Sequence, residues 1–227
     1  MASSGTYTFD PNVAEVCEEA FERVGKDKSK LLQEDVTAAR RSMNLMFVEW
    51  SNRGVKLWNV DSQAGTSATL VSGTATYTLA ARTVAVLEAV RRDSNGNDVW
   101  LQPMSRSEWA ALPEKDQAGL PTQFYFDRQT TPTLTLWPVI NTTGYSLVYW
   151  RLKQNEDVGS AVNTLAIPYR WQEAVAAGLA ARLAVKYDKP SLPILMPEAE
   201  KQFALAAGEE TERGPTYIRP NLSGYRT

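Results

Sequence analysis

Three carboxylates close together in the chain, Glu108, Glu114 and Asp116, are the residues best spaced to do chemistry. Carboxylates a few ångströms apart support glycoside hydrolysis, one acting as general acid and the other as base or nucleophile. Trp109 stands beside Glu108, and aromatic rings stack on sugars, so a glycan (peptidoglycan) hydrolase is one reading. Each acid also has a structural role open to it. Glu108 follows Ser105 by three residues, the spacing of a capping box, and Glu114-Lys115-Asp116 reads as a turn. A related reading without turnover is a carbohydrate-binding module that exposes Trp100, Trp109 and Trp137 as a stacking face. Strand tryptophans are more often core residues, which is the competing expectation for all three.

Other chemistries lack their residues. The 227-residue chain has no histidine, which removes Ser-His-Asp and Cys-His catalysis, histidine proton shuttles and the usual catalytic zinc sites. The single cysteine, Cys17, permits neither an internal disulfide nor a cysteine-rich metal site. Neither the GxGxxG nor the P-loop pattern occurs, so no nucleotide cradle is signalled, and no cofactor or metal is expected. A net charge of −2 gives no general pull toward nucleic acid or anionic lipid. No apolar run approaches a bilayer span, and the opening MASSGTYTFDPN lacks the basic and apolar regions of a secretory signal. The expectation is a protein made in a reducing cytoplasm that enters no membrane.

The elements that would position these residues can be read from periodicity. Asp10-Pro11 predicts a helix start, and Val13, Val16, Cys17, Ala20, Phe21 and Val24 then fall on one helical face, with Gly25 as a stop. Cys17 lies on that apolar stripe and reads as a small core hydrophobe. Glu15, Glu18, Glu19 and Glu22 lie largely off it. A second helix follows, with Leu32, Val36, Ala39, Met43, Met46 and Trp50 inward, Gly54 as its stop, and Arg40-Arg41 on a solvated or subunit-facing side. The short connection predicts an antiparallel helical hairpin.

The pattern then turns to strands. Lys56–Val60 predicts a short one, and Thr66–Leu79, broken at Ser72-Gly73, a hairpin or two short strands. Val84–Arg92 and Asp98–Met104 flank Asn95-Gly96, a hairpin signal. Ser105 caps a short helix that Pro113 ends. Gln123–Arg128, Thr133–Val139 and Tyr145–Leu152 complete the strands. Ile167-Pro168 opens a long alanine-rich helix stopped at Lys189-Pro190. Pro193 and Pro197 shape a bend before a last helix, Glu198–Ala207. The remainder carries Tyr217, Ile218, Arg219, Leu222 and Tyr225 without a period. It reads either as an extended, sticky tail or as a frayed terminus.

These segments predict an α+β protein. Residues 10–54 and 166–208 would form a discontinuous helical bundle of two N-terminal helices and a long C-terminal one. Residues 55–165 would be an inserted antiparallel β region, and 209–227 an extended tail. With 43% hydrophobic residues, the chain can build a real core.

The order of EVCEEAFERVG, MNLMFVEWSNRGVKLW, SRSEWAALPEKDQAGLPTQFYFDR with TLTLWPV, and PYRWQEAVAAGLAARLAVKYDKP resembles the head-to-tail adaptors of tailed bacteriophages, also called connectors or packaged-DNA stabilisation proteins. The resemblance covers most of the chain. It implies a structural virion protein of the neck that performs no catalysis. It implies a dodecameric ring of copies beneath the portal protein, a tail reaching along the portal (Tyr217, Ile218, Arg219, Leu222, Tyr225), and a downstream tail or nozzle protein. Packaged DNA would pass through the channel without sequence-specific contacts. A closed ring makes heterologous contacts between two different faces. The acidic Glu15, Glu18, Glu19 and Glu22 and the basic Arg40, Arg41, Arg91, Arg92 and Arg170 are candidates for them; ordinary solvated faces are the alternative.

Overall fold

The computed structural model describes residues 5–6, 8–55, 57–61 and 64–209. The described residues divide into a helical unit, made of those up to Met43, Ala161–Thr164 and those from Pro168 onward, and a β unit, Asn44–Ser160 with Leu165–Ile167. The protein is α+β, as its periodicities predict.

In the helical unit, α1 (Val13–Arg23) presents Val13, Val16, Cys17, Ala20 and Phe21 to the core. Its cap is Asn12, two residues later than Asp10, because Asn12 can build a reciprocal capping box. The Glu15 N–H donates to Asn12 Oδ1 at 2.9 Å, and the Asn12 N–H donates to the Glu15 carboxylate at 2.8 Å. At the other end, Gly25 at φ +85° lets the Gly25 N–H reach the Glu22 carbonyl and the Lys26 N–H reach that of Phe21, a Schellman closure. The next helix, α2 (Gln33–Asn52), begins in this unit, and its residues from Asn44 belong to the β unit. Leu32, expected on its inner stripe, is exposed just ahead of the helix start.

The short α3 (Arg106–Ala111) belongs to the β unit, and in the helical unit a 3-10 turn, Tyr169–Trp171, leads into α4 (Gln172–Tyr187), which packs against α1 and against α5 (Leu192–Glu209). Ala174, Ala176, Ala177, Ala180, Ala181 and Ala184 are all buried, so small side chains let neighbouring backbones approach α4 closely. Trp171 is completely buried and meets Phe203 of α5 edge-on, ring centroids 5.6 Å apart. The last helix begins at Leu192, six residues before its expected start at Glu198. Pro193 sits in its first turn, where backbone N–H groups lack helical partners, and Pro197 is carried inside the helix.

The β unit holds two four-stranded sheets. One has the order β1 (Thr66–Thr69), β8 (Ser146–Lys153), β3 (Thr83–Arg92), β4 (Asp98–Trp100). The other runs β2 (Thr76–Thr78), β7 (Thr133–Trp137), β6 (Gln123–Asp127), β5 (Gln102–Met104). All pairings are antiparallel except β5 with β6. Leu70, Leu79, Ala89, Leu101, Phe124, Leu134, Leu136, Ile140, Leu147 and Tyr149, drawn from both sheets and their connections, form one core.

Two strand expectations change and an open one is decided. Leu57–Asn59 forms a 3-10 turn in place of the strand Lys56–Val60, and Val60 makes only an isolated bridge to Leu152. Of the two readings open for Thr66–Leu79, two short strands is the one that forms: β1 and β2 join different sheets and make no hairpin. Asp98–Met104 is cut at Leu101, whose N–H donates to the Ala89 carbonyl in one sheet while that of Gln102 donates to Thr122 in the other. The Leu101 side chain is fully buried at this corner. The Asn95-Gly96 turn forms as expected, with Gly96 at φ +85° between β3 and β4.

Candidate interaction surfaces

Three of the four acidic residues on the predicted face of α1, Glu15, Glu18 and Glu19, are already engaged within the subunit. Glu15 closes the capping box. Glu18 pairs with Lys28, whose ammonium pKa that contact raises. Glu19 takes the Arg23 Nε at 2.8 Å, while the two terminal nitrogens of Arg23 reach both oxygens of Glu173 on α4 at 2.7 and 2.9 Å. The hydrogen bond to Glu173 is the main reason the Arg23 pKa is raised, against the cost of burial. Glu22 is exposed.

Of the basic candidates, Arg41 is exposed and Arg40 half-buried. Arg92 makes a bidentate pair with Asp98 at 2.7 and 2.8 Å. Arg91 is a correction: it is 9% exposed, because the alternation of β3 puts it on the core-facing side with Ala89. Its guanidinium donates to the Pro121 carbonyl at 2.9 Å and lies over the Tyr145 ring. It offers no surface charge to a neighbour. Arg170 is exposed.

The three carboxylates stand in different settings. Glu108 is exposed and fixed by its predicted capping role: the Ser105 N–H donates to its carboxylate at 2.6 Å, which lowers its pKa. A glycosidase acid needs the opposite shift. Glu114 contributes its backbone carbonyl to the Trp137 indole N–H at 3.0 Å. Asp116 is exposed on the rim of a shallow hollow that also holds Val139 and Ile140.

The tryptophans split. Trp109 is half-buried and stacks on Tyr125 with the rings 6.0 Å apart and 11° from parallel, and Trp137 is half-buried too. Trp100 is 53% exposed, against the core expectation, because β4 is an edge strand and only Val90 lies opposite it. Cys17 is fully buried, and burial pushes its thiol pKa up to about 11, as its place on the apolar stripe implies.

Two surfaces were not visible in the sequence. In the helical unit a cleft of about 650 Å³ lies between the approach to α1 and the start of α4. Phe9 and Tyr169 line it, 81% and 79% exposed, with Asp10, Glu15, Glu19, Glu173 and Arg23 also in its wall. In the β unit Leu45 and Val48 of α2 and Val84 of β3 are exposed along a groove of about 290 Å³. Leu45 and Val48 sit at i, i+3 spacing beside the Met43-Met46-Trp50 stripe. That second stripe is the signal that could have revealed the groove. Phe9 and Tyr169 had no such signal, being 160 positions apart.

Tyr217, Ile218, Arg219, Leu222 and Tyr225 lie outside the described residues. Among the described residues no group of histidine, cysteine, aspartate and glutamate could hold a metal ion, and no helix is long and apolar enough to cross a membrane.

Residues 11–221 match the family described as SU10 adaptor protein. A chain in the solved structure titled "Virion of native gene transfer agent (GTA) particle" is similar at 17% identity, covering 96% of this chain and 96% of that chain, with a TM-score of 0.31. No curated protein matches the chain.

Proposed function

Because the chain belongs to the SU10 adaptor protein family, and is thus a structural adaptor of a bacteriophage virion, we propose that it forms the head-to-tail ring of the neck. Copies assemble as a dodecamer under the portal protein, extend the DNA channel, help retain packaged DNA and offer a platform to a downstream tail or nozzle protein. The family match across nearly the whole described chain is the observation that carries this reading.

Residues 10–54 and 166–208 serve as the ring-building helices, 55–165 as the inserted region and 209–227 as the segment that engages the portal through Tyr217, Ile218, Arg219, Leu222 and Tyr225. Ring closure needs unlike faces that fit. Glu15, Glu18 and Glu22 on one side and Arg40 and Arg41 on the other supply them, with exposed Glu22 and Arg41 as the pair best placed to reach a neighbour. DNA passes with weak, nonspecific contacts, in keeping with a net charge of −2. The protein carries out no catalysis. The depressed pKa of Glu108 and its engagement in a helix cap support this over glycan hydrolysis.

The test is to mix the purified chain with its portal protein and measure the mass of the complex by light scattering. The expected result is a discrete assembly, formed only when both proteins are present, that weakens when Tyr217, Ile218 and Tyr225 are all changed to Ser. Absence of a complex contradicts the proposal.

A further inference from the structure

We infer that the cleft walled by Phe9 and Tyr169 is a docking site for the chain's own segment 213–227, which seats there in the isolated subunit. The inference goes beyond the adaptor reading, because it concerns where this segment rests whether or not a portal protein also binds it.

Charge is the first argument. The cleft wall carries Asp10, Glu15, Glu19 and Glu173 against one cation, Arg23. Segment 213–227, RGPTYIRPNLSGYRT, has three arginines and no acidic residue. The remaining carboxylate charge in the wall therefore faces a segment of opposite sign. Surface chemistry is the second argument. Phe9 and Tyr169 are large aromatics left 81% and 79% exposed at the cleft, and the segment supplies Tyr217, Ile218, Leu222 and Tyr225 to cover them. Aromatic pairs of this kind add specific contact energy beyond the area they bury.

Reach is the third argument, and it selects the chain's own segment over one from a second copy. Phe203 of α5 packs on Trp171, which lies between the cleft residues Tyr169, two positions before it, and Gln172, the next residue. From Phe203 the helix continues six residues to Glu209, a rise of about 9 Å. Residues 210–227 follow, and 18 residues extend to roughly 60 Å. The last described residue, Glu209, is thus one short run of helix from the Phe203–Trp171 contact, and the segment has ample length to reach the cleft. Tethering at this range gives an effective concentration near millimolar, so modest contacts suffice for occupancy. A seated segment also keeps its aromatic residues off other surfaces until a partner competes for it.

Hydrogen–deuterium exchange on the full chain, read at peptide level, tests this. Amides in 213–227 are expected to exchange roughly ten-fold or more slowly than an unprotected chain. That protection should be the same at about 1 and 50 µM protein, as an intramolecular contact requires. It should weaken toward about 1 M salt, where exposed charges are screened within about 3 Å. Phe9→Ser with Tyr169→Ser, and separately Tyr217→Ser with Ile218→Ser and Tyr225→Ser, should each bring the segment to the unprotected rate. The first pair replaces exposed side chains, and an unchanged far-ultraviolet circular dichroism spectrum confirms an intact fold. An unprotected segment in the native chain overturns the inference. So does protection that survives the Phe9/Tyr169 change, or protection that grows with concentration and so assigns the occupant to a second copy. A segment free in the isolated chain but still needed for portal attachment sinks only this inference. A protected segment in a chain that never binds portal sinks only the adaptor reading.

Discussion

Truncating Trp171 to Ala should be among the most damaging single changes in the helical unit. The side chain is completely buried at the N-terminus of α4, where it meets Phe203 of α5 at 5.6 Å. A fully buried tryptophan removes about 150–250 Å² from water, worth roughly 4–6 kcal/mol at about 25 cal/mol per Å². Alanine keeps part of that area, and a compact unfolded chain hides some of it already, which trims the loss. The cavity left behind and the broken ring contact, itself about 0.5–1.5 kcal/mol, push the other way. The net expectation is about 4 kcal/mol. Urea unfolding followed by helical circular dichroism would report it. With a slope of about 2 kcal/mol per molar, the midpoint should fall by about 2 M. A loss below about 1 kcal/mol would mean that α4 and α5 are not locked by this residue, and the packing described for the unit would be wrong.

Trp100→Ala should cost no more than about 1 kcal/mol in the same assay, since the ring is 53% exposed on an edge strand; a loss near 3 would restore the core reading. Cys17, with its thiol pushed up to about 11 and no exposed surface, should resist thiol reagents at neutral pH until the helical unit is unfolded by urea; rapid labelling of the native chain would contradict its burial. Lys26 donates to the buried Asp35 carboxylate at 2.6 Å, and with the Leu32 N–H it holds the Asp35 pKa below its ordinary value. A depressed carboxylate stabilises the fold above its unfolded pKa, and that contribution disappears as pH falls through the folded one. Lys26→Met should therefore lose about 1–3 kcal/mol at neutral pH and progressively less below about pH 4, and an equal loss at both would refute the pairing.

Local signals were the legible ones. The α1 stripe, the Ser105–Glu108 capping box and the Asn95-Gly96 turn each depend on residues a few positions apart, and each forms. What the sequence hid was set by distant partners. Arg91 turns inward because β8 fixes the register of β3 and the Pro121 carbonyl and Tyr145 ring receive its guanidinium. Trp100 stays exposed because β4 ends its sheet. Asp98–Met104 looks like one strand, yet burying Leu101 divides it between two. At the start of α1, Asp10 had the right residue type, and Asn12 prevailed because only it could exchange hydrogen bonds with Glu15. The surfaces follow the same rule. The acidic residues of α1 were legible as a face, but their engagement by Arg23, Lys28 and the helix cap needed the fold. The cleft joins Phe9 to Tyr169 across the chain, and no window of sequence contains both.

Electron cryomicroscopy of the chain bound to its portal protein is the most direct trial of the adaptor role. The expected image is a closed ring of this chain, coaxial with the portal and open along the DNA path, with residues from 213–227 lying against portal density. Scattered monomers with no density beneath the portal, or a ring attached elsewhere on the particle, would contradict it.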